Sequence, residues 1–290
     1  MKKIERIFRF MFVAALVSGV PNIGCAAGAS AVGYWRAGPG ASPIGQAFAI
    51  GQGPESVMGD EPGTETIAPT SHTVVVNFRQ AKRMLPAIYA GLERSFYCGC
   101  RYEGREPDRA SCGYIPLRDD TRARRIEWEH VVPAAWLGRG RECWEGQPAA
   151  CRRANGTQRS GRSCCRRIDA EFRAMEGDLH NLVPAIGELN LRRSDFAFGY
   201  VDGEEREYGE CDFEISDAAP RIVEPRPEIR GDIARIHLYM AETYGVPLEP
   251  EYLAMLNEWN AEDPVSPVEK ILNDRIHAKT GAVNRFVDAP

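Results

Sequence analysis

The chain has 290 residues, 43% of them hydrophobic and 27% charged, with a formal net charge of −5. That balance suits one large domain or two small ones. It excludes a uniformly basic nucleic-acid coat and a fully disordered chain. A polytopic membrane protein is also excluded, because the single apolar run lies at the extreme N-terminus.

Charge is unevenly spread. Thr121 to Arg173 holds 12 Arg, no Lys and 6 acidic residues, a net of +6. Tyr200 to Pro290 holds 9 basic and 20 acidic residues, a net of −11. A basic field inside an acidic chain suggests an anionic ligand; a solvated arginine surface is the plainer alternative.

Lys2, Lys3, Arg6 and Arg9 precede the apolar stretch Met11 to Val20, and small residues follow through Ala27. Residues 1–27 therefore read as a secretory signal peptide, cut after Ala26 or Ala27. A lipid-anchored Cys25 is the alternative, against which Asn22-Ile-Gly stands as a poor lipoprotein signal. The mature chain is expected to have no membrane span and to be periplasmic or secreted. Residues 28–71 contain 9 Gly and 5 Pro without periodicity and read as a flexible leader. Residues 72–290 form the expected domain.

In chain order, order is expected to begin near Thr73 to Phe78. Residues 79–94 pattern as a helix that Pro86 interrupts. Residues 95–132 pattern as short strands and turns, with Arg125 to Val132 alternating as a strand before Pro133. An Arg-, Ser- and Gly-rich loop is expected over 152–167, then a helix over 167–176. Pro184 suits the first turn of a helix running to about Ser194. Two C-terminal helices are expected near 231–244 and 249–259.

Nine cysteines occur, at 25, 98, 100, 112, 143, 151, 164, 165 and 211. If Cys25 leaves with the signal, eight remain, and an even number in an exported chain implies up to four disulfides. Zinc is the competing use. Cys98-Gly-Cys100 and Cys164-Cys165 lack the two-residue spacing that lets a thiolate pair share a zinc.

There are five histidines, at 72, 130, 180, 237 and 277. His130 follows Glu129 at the end of an expected strand. No helical zinc-protease spacing, serine elbow, phosphate loop or dinucleotide turn is present. A lone imidazole beside oxygen ligands suits a water-activating base working with a hard cation; a surface ion pair is the bland reading.

Two blocks then carry a resemblance. Arg125-Ile-Glu-Trp-Glu-His-Val-Val-Pro-Ala and Met175-Glu-Gly-Asp-Leu-His-Asn-Leu-Val-Pro-Ala-Ile-Gly-Glu-Leu-Asn closely resemble the endonuclease I family of secreted and periplasmic bacterial nucleases. Phe96-Tyr-Cys-Gly-Cys, Ser111-Cys-Gly-Tyr, Cys143-Trp and Ala234-Arg-Ile-His-Leu-Tyr-Met agree in order, so the resemblance spans about 78–286. It implies an α+β fold, a mixed α/β single domain stapled by disulfides, with a ββα-metal (His-Me finger) active site.

Carried over, His130 is the general base, and Glu129 and Asn190 hold one divalent ion, Mg²⁺ with Ca²⁺ or Mn²⁺ as alternatives. Glu127 would support the ligand carboxylate from the same strand face, and Glu176 matches an acidic family position near the site. The implied activity is largely non-specific hydrolysis of DNA, with RNA as an alternative substrate, by a monomer, to 5′-phosphate and 3′-hydroxyl ends. A non-catalytic, disulfide-stapled nucleic-acid-binding protein of the same fold is the competing reading.

Departures from the family shape the remaining expectations. The family places an arginine shortly before the cysteine taken here as Cys151, and that arginine is missing. Arg152 or Arg153 is expected to replace it as a phosphate clamp, out of a loop that also holds Arg159, Arg162, Arg166 and Arg167. Leu191-Arg192 replaces a family Gly-Asp, so that Arg192 becomes a further phosphate candidate. Cys164 and Cys165 are extra, so disulfide pairings are not transferred. Asp178, His180 and His237 are expected to be structural.

Overall fold

The computed structural model describes residues 74–288, apart from 118, 119, 160 and 204. The segments expected to be a signal peptide (1–27) and a Gly/Pro-rich leader (28–71) lie outside the described residues. Helices dominate. Three small sheets and four disulfides accompany them.

Helix α1 is Phe78–Ile88. A reciprocal cap starts it: Asn77 Oδ1 accepts from the Arg79 and Gln80 amides, and Gln80 Oε1 accepts from the Asn77 amide. Pro86 is accommodated near the C-terminal end, so the helix stops at Ile88 rather than reaching residue 94. A hairpin of β1 (Tyr102–Glu103) and β2 (Glu106–Pro107) follows, then the short helix α2 (Asp120–Ala123).

Strand β3 (Ile126–His130) pairs antiparallel with β4 (Leu182–Ile186), in a register that sets Trp128 opposite Pro184 and His130 opposite Leu182. Between them come α3 (Ala134–Gly138), α4 (Glu142–Glu145), α5 (Gly161–Ile168) and α6 (Ala170–Gly177). Helix α7 (Gly187–Arg193) follows β4 directly. Pro184 therefore lies in a strand and not at a helix start. In a two-stranded sheet it forfeits one amide donor, while its carbonyl still accepts from Phe96 N–H at 2.7 Å.

Strands β5 (Ala197–Phe198), β6 (Phe213–Ile215) and β7 (Ile222–Pro225) form a sheet in the order β5-β7-β6, parallel and then antiparallel. The chain ends in α8 (Arg230–Tyr244), α9 (Pro250–Glu262), α10 (Pro267–Thr280) and α11 (Arg285–Asp288). None of the described helices is long and apolar enough to cross a membrane.

All eight described cysteines pair: Cys98–Cys211, Cys100–Cys112, Cys143–Cys165 and Cys151–Cys164. The adjacent Cys164 and Cys165 are both buried on α5 and tie it to Cys151, at the end of the helical turn Ala149–Cys151, and to Cys143 on α4. This explains why part of the segment expected as a loop is helical: two covalent anchors fix the middle of a short, arginine-rich stretch that would be marginal alone.

Candidate active site

Strand alternation divides the β3 side chains. Trp128 and His130 point toward α1, where Trp128 meets Tyr89 and the His130 ring lies 4.7 Å from that of Phe78. Glu127 and Glu129 point the other way, toward α7. The end of β3 is held by Asn181, whose side chain makes two bonds to the Val132 backbone, 2.7 and 3.0 Å long.

His130 is only 7% exposed. Its Nε2 lies 2.8 Å from the Glu176 backbone carbonyl. A carbonyl only accepts, so the proton sits on Nε2 and the Nδ1 lone pair is left free. Burial first, and then the nearby Arg162 charge, push the imidazole pKa down to about 4, so it is neutral at neutral pH.

The same Glu176 places its carboxylate between two guanidinium groups of α5. Arg162 and Arg166, one helical turn apart, both bond it, Arg166 Nε at 2.7 and 2.8 Å. These bonds hold the carboxyl pKa below its usual range despite burial. Lys82, Arg162 and Arg166 also flank the Phe78 ring, 4.7, 5.2 and 5.4 Å from its centre. Arg162 Nη2 is enclosed and has no hydrogen-bond partner. Gly177 permits this assembly: a Cβ there would lie 1.8 Å from the Val76 carbonyl oxygen, driving the start of α1 away from Glu176.

On the α7 face, Glu129 is 3% exposed and accepts the Tyr97 hydroxyl at 2.7 Å. Its second oxygen, Oε2, is buried without a partner. Burial pushes its pKa up to about 7, partly offset by Arg193, whose Nε is 3.9 Å away, and by the Tyr97 bond. Asn190 donates Nδ2–H to Glu127 Oε2 at 3.0 Å, which leaves its amide oxygen as the atom able to take a cation. Glu127 is also paired with Arg122 and Arg125.

Among the described residues no three His, Cys, Asp or Glu side chains form a ready metal cage. The donors available are one carboxylate with an orphaned buried oxygen and one amide oxygen on the helix beside it. That set fits a hard cation that keeps most of its waters, as Mg²⁺ does.

Three residues from the sequence reading fall elsewhere. Arg152 bridges to Gln158 and Arg153 bonds the Thr157 hydroxyl in a hairpin of their own, and Arg192 Nε reaches the Tyr208 hydroxyl at 3.3 Å. The arginines beside His130 are Arg162 and Arg166. Arg193, Tyr97, Phe78 and Lys82 were not singled out from the sequence. For Arg193 a signal existed, since it lies one helical turn after Asn190. It is buried, donates to the His130 carbonyl at 3.0 Å and to the Val131 carbonyl, and packs over Phe198. Asp178 and His237 are structural as expected: Asp178 accepts from the Tyr239 and Tyr244 hydroxyls, and His237 is buried between Ile233 and Tyr252.

A family model described as Endonuclease I matches residues 75–290. The chain belongs to the endonuclease I family. An extracellular deoxyribonuclease of Aeromonas hydrophila is 39% identical over 215 residues, 73% of this chain and 88% of the relative. A periplasmic deoxyribonuclease of the same organism is 38% identical, covering 73% of this chain and 85% of that protein. An Endonuclease-1 of Buchnera aphidicola is 38% identical over 200 residues, 68% of this chain and 73% of the relative.

Arg162 stands three residues before Cys165, the partner of Cys143, whereas the stretch Glu145 to Ala150 before Cys151 holds no arginine.

Proposed function

We propose that this chain is an exported, metal-dependent endonuclease that hydrolyses DNA phosphodiesters with little sequence preference, leaving 5′-phosphate and 3′-hydroxyl ends. The observation that carries the reading is the His130 imidazole: neutral, held at Nε2 by the Glu176 carbonyl, and set beside cations that outnumber the local carboxylate.

The proposed chemistry follows from those atoms. Nδ1 of His130 takes a proton from water as the water attacks phosphorus, so no free hydroxide has to approach an anion. Arg162, whose side chain is partly exposed beside His130, is the residue we assign to a phosphate oxygen, with Arg166 and Lys82 adding positive field as charge grows on the phosphorane. Glu176 holds both guanidinium groups in place. Glu129 and Asn190 are assigned to the divalent ion, and β3, β4 and α7 are then the two strands and helix of a ββα-metal unit. When bound, the ion supplies Lewis-acid stabilisation of the phosphorane and of the departing 3′ oxygen. Arg193 and Tyr97 hold Glu129 in position, and Glu127 orients the Asn190 amide.

Export is supported by the family's extracellular and periplasmic members and by four disulfides, which persist in oxidising compartments. Incubation with supercoiled plasmid in Mg²⁺, with and without EDTA, tests the reading. Nicking that stops in EDTA, with ends that religate without added kinase, is expected. Cutting that persists in EDTA, or binding without cutting, contradicts it; parallel RNA incubation reports whether the sugar matters.

A further inference from the structure

Helix α5 turns Arg162 and Arg166 toward Glu176. Across the helix lies a hairpin that the proposed reaction does not use. Arg152 pairs with Gln158 across an antiparallel bridge, the Arg153 amide donates to the Thr157 carbonyl at 2.8 Å, and the Arg159 amide donates to the Cys151 carbonyl at 3.1 Å. Asn155 Oδ1 closes the tip by accepting from the Thr157 amide and hydroxyl.

The base of the hairpin is pinned three ways: by the Cys151–Cys164 bridge, by the Gln158 side-chain amide on the Pro148 carbonyl at 3.0 Å, and by Arg167 Nε on the Ala150 carbonyl at 3.0 Å. The arm is therefore fixed to the helix that carries the phosphate-facing arginines, and little ordering cost remains for a ligand to meet.

Its charge is uncompensated. From Gly146 to Ile168 the chain has six Arg and no acidic residue. Arg162 and Arg166 pair with Glu176. Among the described residues, Arg152, Arg153 and Arg159 pair with no carboxylate, and Arg152 and Arg153 are exposed. Three like charges on one short arm repel each other unless a polyanion lies across them.

We propose that the hairpin 152–159 is a second phosphate-binding arm, which grips the DNA backbone away from the scissile bond. This rests on the nuclease reading and extends it. A helix with its side chains is about 10 Å across. A duplex advances about 3.4 Å per base pair. The arm thus meets phosphates about three base pairs from the cut. Contacts of that kind add affinity without reading sequence.

The test is anisotropy of a labelled DNA duplex in EDTA over a range of KCl, comparing wild type with R152Q/R153Q/R159Q. Each lost phosphate contact lowers the salt slope by about 0.9, so the triple variant is expected to be shallower by about 2.7. Between about 50 and 200 mM salt, wild type then loses about 40-fold more affinity than the variant. R152K/R153K/R159K, which keeps the charges, is expected to retain the wild-type slope. Equal slopes for wild type and the Gln variant overturn the proposal, as does a Lys variant as shallow as the Gln one. A wild type that binds with the expected slope difference but never cuts plasmid in Mg²⁺ supports the arm and sinks the nuclease reading instead.

Discussion

At the scale of single residues, the proposed site is spread over the two faces of one strand. His130 and Glu129 are neighbours in sequence but point to opposite sides of β3, one toward cations and one toward α7. Each side can be tested separately. Glu129→Gln and Asn190→Ala are expected to raise the Mg²⁺ concentration giving half-maximal cleavage by at least about tenfold, since ligand-sphere changes typically cost that much. An unchanged Mg²⁺ titration for both would remove them from the ion. Arg162→Ala is expected to cost about 10²-fold in kcat, the usual loss for a donor to a charged transition state. A loss confined to KM would show instead that Arg162 serves ground-state binding.

At the scale of elements, α5 is the part that differs most from the sequence expectation, and the reason is covalent. Its Arg- and Ser-rich composition reads as loop, yet two adjacent cysteines fasten it to α4 and to the turn that ends at Cys151, and Glu176 neutralises one face. No propensity argument registers such anchors. Pro184 departs from expectation for a related reason: a proline followed by Ala-Ile-Gly-Glu suits a helix start, but pairing with β3 overrides it until Gly187. Helix α10 lies outside the helices expected from the sequence although its signal is present, since Ser266-Pro-Val-Glu269 is a capping box with proline in the first turn. The strand carrying Glu129 and His130 was legible because its alternation is strict. Removing the α5 anchor by Cys143→Ala/Cys165→Ala opens a loop of 22 residues. That is expected to cost about 3 kcal/mol of stability, with cleavage falling further than the unfolded fraction explains because Arg162 loses its seat. Equal urea midpoints for variant and wild type would contradict the structural part.

At the scale of the whole molecule, stability should depend on pH through a buried histidine that the proposed reaction does not use. His237 is buried on α8, its ring bonded to the Ile233 carbonyl and the Tyr252 hydroxyl. Burial, reinforced by the Arg193 charge, pushes its pKa from 6.5 down to about 3. Because the folded state resists the proton that the unfolded state accepts, this contribution is complete above about pH 6.5 and is lost as pH falls toward 3. The melting temperature is expected to drop between pH 6.5 and 4, and His237→Gln to flatten that part of the curve; parallel curves for the two proteins would assign the acid loss elsewhere. The complete machine (two strand faces, a clamped arginine helix and an exported, oxidised fold) is read out by its rate of cutting. The most direct measurement is plasmid nicking in Mg²⁺ by oxidised wild type and His130→Ala at matched folded concentrations. A loss of about 10² to 10⁴-fold is predicted for the variant, and cleavage within a fewfold of wild type would contradict the account.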